Sequence, residues 1–132
     1  EWAKSVPGSE ERIYQGGFHF VDFTDIKNPV ETAIYQVPEV GSHNHWVEGD
    51  TLFAGYYYGG IRIVDISGEL MGNLYAQGRE IAFFKGVDPD GSTANQTNVW
   101  GVIPYKGLIY FADLNNGLWA VRLVDNEPLG TN

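Results

Sequence analysis

The chain has 132 residues, of which 43% are hydrophobic, so it is long enough for one core and too apolar for a disordered composition. Its net charge of −9 excludes the Lys/Arg footprint that nucleic acids and anionic membranes require, and its lack of cysteine excludes disulfides, thiolate zinc sites and cysteine nucleophiles. The many aromatic residues and the 17 glycines favour pleated strands joined by tight turns. The composition therefore predicts an all-β fold.

A glycine-led strand recurs three times along the chain. Residues 16–23 read GGFHFVDF, residues 59–66 read GGIRIVDI, and residues 116–123 read NGLWAVRL. In each copy a tight turn at Gly17, Gly60 or Gly117 precedes a run of residues that suits a strand. These glycines are 43 and then 57 residues apart, and multi-stranded repeats of about this length are typical of β-propeller blades.

The stretches before the second and third glycines also correspond to each other. Each contains two strands joined by a two-residue turn, Gly49-Asp50 in one and Lys106-Gly107 in the other. An alignment without gaps pairs Leu52 with Ile109, Trp46 with Ile103 and His43 with Trp100. Residues 31–37 and 79–85 are then predicted as outer strands, and residues 68–78 as the place for a short helical turn.

Together these units predict one partial β-propeller domain over residues 1–132, an all-β fragment of about three four-stranded antiparallel blades. The blade-like units cover residues 10–40, 41–87 and 97–125, with a loop insertion at residues 67–98. So few blades cannot close a ring, and the chain opens with Glu1 rather than Met. We therefore expect a processed or partly observed polypeptide whose remaining blades, or a protein partner, cover the open edges.

The second copy carries the most specific motif. Residues 60–67 read GIRIVDIS, which resembles the LVIVD repeat of a glycine, an alternating aliphatic strand and then Asp-Ile-Ser. Residues 18–24 form a looser copy, and residues 118–124 form a third in which Arg122 replaces the family's Asp. The resemblance implies the C-terminal blades of an exported or surface-attached bacterial or archaeal β-propeller. It also implies a distant similarity to selenium-binding and methanethiol oxidase-type propellers, which carry metal-binding histidines.

A candidate metal site lies on a predicted inner strand, the strand that lines the central channel of a propeller. Residues two apart on a strand point to the same side, so His43 and His45 are predicted to present two imidazoles to one copper, zinc or iron ion. The third histidine, His19, lies on another type of strand, and a metal centre needs three or four ligands. The alternative is a hydrogen-bonded channel histidine beside a structural one, with no cofactor.

Two groups of carboxylates are candidates for ion binding or catalysis. Asp88 and Asp90, with Ser92, place oxygen atoms at alternate positions, as in a short calcium loop. The remaining ligands of the full loop signature are missing, so a polar turn is the alternative. Asp22 and Asp65 follow two copies of the repeated strand, where a recurrent carboxylate is predicted to accept N–H bonds of the next turn.

Aromatic residues form the last candidate site. Trp46, Tyr56, Tyr58 and Trp100 are predicted to line a binding surface for a sugar or a peptide, with Tyr56 and Tyr58 on one face of a strand. The alternative is that packing between the blades absorbs these rings into the core.

The sequence carries no complete catalytic set and no phosphate-binding loop. We therefore expect a non-enzymatic propeller that acts as a binding or structural subunit of a larger assembly, in the periplasm, at the cell surface or secreted. No transmembrane segment and no nucleic-acid partner are expected, although the assembly can be associated with a membrane. The alternative is a metal-dependent oxidoreductase of the selenium-binding or methanethiol oxidase-like type, with His43 and His45 as ligands.

Overall fold

The computed structural model describes residues 2–5 and 12–124, and all regular structure in this part is β-strand, as the composition predicts. The strands are β1 Trp2–Ser5, β2 Arg12–Gln15, β3 Phe18–Asp22, β4 Val30–Tyr35, β5 Ser42–Glu48, β6 Thr51–Tyr56, β7 Gly60–Asp65, β8 Gly72–Asn73, β9 Glu80–Phe84, β10 Val99–Tyr105, β11 Leu108–Asp113 and β12 Gly117–Val121. No helix in this part of the chain has the length and apolar character needed to cross a bilayer.

Within the described residues these strands form four sheets. β1 and β2 pair with each other, and β3 pairs antiparallel with β4, which β8 joins in parallel. β5, β6, β7 and β9 form the central sheet in that order, and β10, β11 and β12 form the last sheet. The predicted four-stranded antiparallel unit is thus present in the central sheet. The sheet of β3, β4 and β8, called the first sheet below, instead includes a parallel strand from the predicted loop insertion. The last sheet has three strands.

The hairpins of the central and last sheets have the same pairing register, displaced by 57 residues. Tyr56 pairs with Gly60, and Asp113 pairs with Gly117. Trp46 pairs with Phe53, and Ile103 pairs with Tyr110. A β-bulge interrupts the start of both β5 and β10. The gapless alignment of the two sequence segments therefore coincides with the register of the sheets.

The pairing of β3 with β4 matches that of β7 with β9. Phe18 is opposite Tyr35 and Ile61 is opposite Phe84, and a bulge follows Phe20 in one pair and Ile63 in the other. β3, β7 and β12 consequently occupy equivalent places in three sheets.

Two hydrophobic cores lie between successive sheets. The core between the first and central sheets contains Phe18, Ala33, Tyr35, Leu52, Ala54, Tyr56, Val64 and Leu74. The core between the central and last sheets contains Ile61, Ile63, Val99, Val102, Ile109 and Phe111. β7 is buried from Gly60 to Val64 because it has a neighbouring sheet on both faces, as its nearly continuous apolar sequence predicts.

The segment between β7 and β9 adds the short strand β8 to the first sheet. Leu74, which follows β8, is fully buried, and its N–H donates to the Ile34 carbonyl at 2.9 Å. Residues 74–78 then form a turn in which the Gln77 N–H donates to the Asn73 carbonyl at 3.2 Å. The buried Leu74 thus attaches the segment between β7 and β9 of the central sheet to β4 of the first sheet.

Candidate functional site

The two histidines of the predicted metal site contact different sheets. The β-bulge in β5 lies between Ser42 and His45, so the alternation of side chains is broken at this point. The His43 Nδ1–H donates to the Trp100 carbonyl of the last sheet at 2.6 Å. The His45 ring instead packs against Phe18 of the first sheet, with 5.1 Å between the ring centroids. The prediction that both imidazoles point to one side of the strand is therefore wrong.

The third histidine is engaged elsewhere. His19 of β3 and Glu31 of β4 are both exposed, and His19 Nδ1 lies 2.7 Å from Glu31 Oε2. In the part of the chain that the structure describes, no group of three or more His, Asp or Glu side chains is arranged to hold a metal ion. Metal binding by His43 and His45 stays a prediction.

Trp100 belongs to an aromatic cluster at the junction of the central and last sheets. Its ring centroid lies 5.1 Å from that of His43 and 6.1 Å from that of Tyr57. Its Nε1–H donates to Asn98 Oδ1 at 3.1 Å. Because these contacts fix the indole while 43% of the residue stays exposed, Trp100 offers a preorganised flat surface of the kind that stacks on a sugar or an aromatic ring.

The other predicted ligand-binding residues are divided between surface and core. Trp46 and Tyr58 are exposed. Tyr56 is fully buried, and its hydroxyl donates to the Tyr35 carbonyl at 3.0 Å, so its assignment to a binding surface is wrong. β6 ends at Tyr56, and Tyr58 lies in the following turn. Strand alternation therefore does not place the two tyrosines on one face.

A buried polar group between the first and central sheets was missed by the sequence reasoning. Arg62 is buried, and its Nη1 donates to both carboxylate oxygens of Glu80 at 3.1 and 3.2 Å. The Tyr35 hydroxyl donates to the same carboxylate, and the guanidinium lies 4.7 Å from the centre of the Phe83 ring. Burial, reinforced by Glu80, raises the pKa of Tyr35 above its ordinary value. The signal in the sequence was Arg62 in the middle of an otherwise apolar strand.

The recurrent aspartates have the predicted turn geometry. Asp22 Oδ1 accepts the Thr24 N–H at 2.8 Å and the Thr24 hydroxyl at 2.6 Å. Asp65 Oδ1 accepts the Ser67 N–H at 2.8 Å. The Thr24 and Ser67 side chains, followed by their backbone N–H groups, lower the pKa of Asp22 and Asp65 respectively. Both carboxylates therefore accept hydrogen bonds within the turns that follow the equivalent strands β3 and β7.

The carboxylates near the last sheet also organise turns. Asp88 Oδ1 accepts the Asp90 N–H at 2.8 Å, as in a polar turn, and calcium binding by this pair stays a prediction. Asp113 is buried and anchors the preceding loop. Its Oδ2 accepts the Thr97 hydroxyl at 2.5 Å and the Asn98 N–H at 2.9 Å. The same loop residue, Asn98, orients Trp100.

The last sheet has one covered face and one open face. The covered face contributes Val102, Ile109, Phe111, Trp119 and Val121 to the second core. The alternate positions form the open face, which consists of Gly101, Ile103, Tyr105, Leu108, Tyr110, Ala112, Leu118 and Ala120. A groove of about 380 Å³ runs along this face between β10 and Trp46 of β5. In the central sheet the equivalent residues Phe53, Ile61 and Ile63 are packed against the last sheet.

Comparison with known proteins adds no relative: no family model, no curated protein and no solved structure matches this chain.

Proposed function

We propose that this chain is part of a β-propeller that works as a structural or binding subunit rather than as a catalyst. The observation that carries the proposal is the stacking of equivalent sheets. β10 packs against β5 and β6 of the central sheet, and residues of the central and last sheets share one hydrophobic core. Successive blades of a β-propeller stack around an axis in this way.

The open face of the last sheet supports completion by a further sheet of the same design. Leu118 is 77% exposed, whereas Ile61, its equivalent in the central sheet, is 1% exposed. Apolar sheet faces of this kind are characteristic of interfaces. A next blade would cover Leu118, Ile103 and Ala120 as the last sheet covers the equivalent residues of the central sheet.

The environment of the buried polar groups supports a structural role for the sheet interfaces. Arg62 and Glu80 satisfy each other, and Asp113 accepts four hydrogen bonds from loop and turn residues.

The exposed Trp100 is the proposed recognition residue at one end of the sheets. Export to the periplasm or cell surface is proposed from the resemblance of residues 60–67 to the LVIVD repeat.

Thiol accessibility in the intact protein, isolated from the cells that make it, tests this proposal. Because these 132 residues contain no cysteine, Leu118→Cys and Leu114→Cys each place one thiol in this part of the protein. Both leucines are exposed in this chain and lie on either side of one turn, so Leu114 is a matched control. If a further sheet covers the open face, Leu118→Cys should react with a thiol reagent far more slowly than Leu114→Cys. Equal reaction rates would contradict the proposal.

A further inference from the structure

The aromatic cluster of His43, Tyr57 and Trp100 is attached to the backbone on both sides of the junction between the central and last sheets. The Val99 N–H donates to the Tyr57 carbonyl at 2.9 Å, and the Tyr57 N–H donates to the Gly41 carbonyl at 3.1 Å. The His43 ring donates to the Trp100 carbonyl at 2.6 Å. Because the backbone that carries the rings is hydrogen-bonded across the junction, the three rings form one preorganised surface.

Trp100 exposes a flat apolar surface within this cluster. Its indole ring and the His43 ring are inclined by only 31°, with centroids 5.1 Å apart, so His43 covers one face of the indole. The Tyr57 ring is nearly perpendicular to the indole, at 88°. Since 43% of Trp100 is nevertheless exposed, the surface offered to a ligand is mainly the opposite indole face and the edges of the ring. A surface of this shape suits stacking.

A hydrogen-bond donor and an acceptor accompany this surface. Asn98 accepts the indole N–H through its amide oxygen at 3.1 Å, so the NH₂ group of the same amide can donate beside the ring. A neutral imidazole carries a proton on one nitrogen only, so His43, which donates through Nδ1, accepts through Nε2. The cluster therefore combines an apolar ring face with groups that recognise hydroxyls.

The sequence around the cluster is uncharged. Within three residues of His43, Tyr57 and Trp100 the chain contains no Asp, Glu, Lys or Arg. The carboxylate that supports the cluster, that of Asp113, is buried and accepts the Asn98 N–H and three further hydrogen bonds from loop and turn residues. Without a nearby charge the surface offers a charged ligand little Coulombic attraction. The cluster therefore favours a neutral ligand.

We propose that Trp100 is a stacking platform for a neutral sugar ring. The C–H face of the sugar would lie on the indole, one hydroxyl would donate to His43 Nε2, and another would accept from Asn98 Nδ2. An aromatic or proline side chain of a peptide would cover the same indole but leave both polar groups without a partner, which is unfavourable. This inference rests on the proposed role of Trp100 as a recognition residue and adds the class of its ligand.

Native gel electrophoresis of the intact protein in gels that contain a soluble neutral polysaccharide tests the inference. Separate gels contain a glucan, a mannan, a galactan or a xylan, and a gel without polysaccharide gives the reference mobility. At least one polysaccharide should retard the protein. Trp100→Ala should weaken the binding roughly tenfold or more, as expected for the loss of an aromatic anchor.

Two further variants serve as controls. Trp46→Ala removes an indole that is exposed to a similar extent, 47%, but does not belong to the cluster, so it should keep the retardation. Trp100→Leu keeps an apolar side chain but removes the flat ring, so it should lose the retardation even if Trp100→Ala is poorly folded. Urea denaturation of each variant checks that the fold is retained.

The outcomes separate the alternatives. Retardation that is lost in Trp100→Leu and kept in Trp46→Ala supports the inference. Failure of all four polysaccharides to retard the protein would overturn it, and so would retardation that persists in Trp100→Leu or disappears in Trp46→Ala. A shielded Leu118→Cys without retardation would reject the sugar and leave the propeller standing, whereas retardation with an unshielded Leu118→Cys would do the reverse. Failure of this inference and failure of the proposed function are therefore distinguishable.

Discussion

Ile61 and Leu118 hold the same register position in neighbouring sheets but lie in opposite environments. Ile61 is opposite Gly55 and Leu118 is opposite Ala112, 57 residues further along the chain. Ile61 is 1% exposed and Leu118 is 77% exposed. Both side chains are branched and apolar, so the difference comes from their neighbours: the last sheet covers Ile61, and no described residue does the same for Leu118.

Truncation of Ile61 and of Leu118 to alanine should therefore lower the free energy of unfolding of the 132-residue chain by different amounts. Ile61→Ala should lower the free energy of unfolding by about 2–4 kcal/mol, because it leaves a cavity in a packed core. Leu118→Ala should change it by less than about 0.5 kcal/mol, as expected for an exposed site. Urea denaturation followed by circular dichroism measures both values. A loss for Leu118→Ala as large as that for Ile61→Ala would mean that part of this chain covers the open face.

Gly60 and Gly117 form a second matched pair. Both have a left-handed backbone, with φ of 78° and 81°, so alanine costs about 1 kcal/mol at either position for that reason alone. A Cβ at Gly60 would also lie 2.1 Å from the Phe84 carbonyl oxygen of β9, whereas a Cβ at Gly117 would meet nothing within 4 Å. Gly60→Ala should thus be more destabilising than Gly117→Ala by about 1–3 kcal/mol in urea denaturation.

Gly107→Ala is the control for this comparison. Gly107 has φ of 77° and also has open space where a Cβ would be added, so its variant should behave like Gly117→Ala. Equal losses for Gly60→Ala and Gly117→Ala would indicate that an outer strand approaches Gly117 as β9 approaches Gly60.

The buried pair of Arg62 and Glu80 predicts that the effect of Glu80→Gln on the free energy of unfolding changes sign when Arg62 is replaced. Arg62→Met should cost about 3–5 kcal/mol, because it leaves a largely buried carboxylate without its cation. Glu80→Gln should destabilise the unaltered chain for the corresponding reason. In the Arg62→Met background the same Glu80→Gln change should instead be stabilising, since it removes the uncompensated charge. The four free energies of unfolding form a double-mutant cycle, and purely additive losses would contradict a coupled pair.

Much of the fold could be predicted from the sequence because its signals are local and repeated. The turn glycines Gly60 and Gly117 set the offset between the sheets, and Asp22 and Asp65 accept hydrogen bonds from the turns expected of them. The β-branched residues of β7 indicated a strand with neighbours on both faces, and every residue from Gly60 to Val64 is buried.

The candidate sites were less predictable because they depend on irregularities and on distant contacts. The bulge in β5 sends His43 and His45 to different sheets, and strand alternation alone gives no warning of it. Alternation along a strand places Tyr56 and Tyr58 on one predicted surface, but the strand ends at Tyr56 and its ring enters the core between the first and central sheets. The parallel strand β8 forms through contacts of Leu74 with a strand about 40 residues earlier, which no short-range pattern reveals.

Tyr35 should make the stability of the protein depend on alkaline pH. Its pKa is raised above the ordinary value of 10.0, first by burial and then by the carboxylate of Glu80 that its hydroxyl contacts. The neutral phenol is thus favoured in the folded state, so its contribution is fully present below pH 10 and is lost as the pH rises above 10, where the unfolded chain ionises. Tyr35→Phe should lower stability at neutral pH by loss of a hydrogen bond, yet flatten the decline above pH 10. Urea denaturation at about pH 8 and about pH 11 measures the slope, with Tyr105→Phe at an exposed site as the control. Burial also raises the pKa of Tyr56, so Tyr35→Phe should keep part of the loss of stability above pH 10. A loss as steep as that of the unaltered chain would contradict this role of Tyr35.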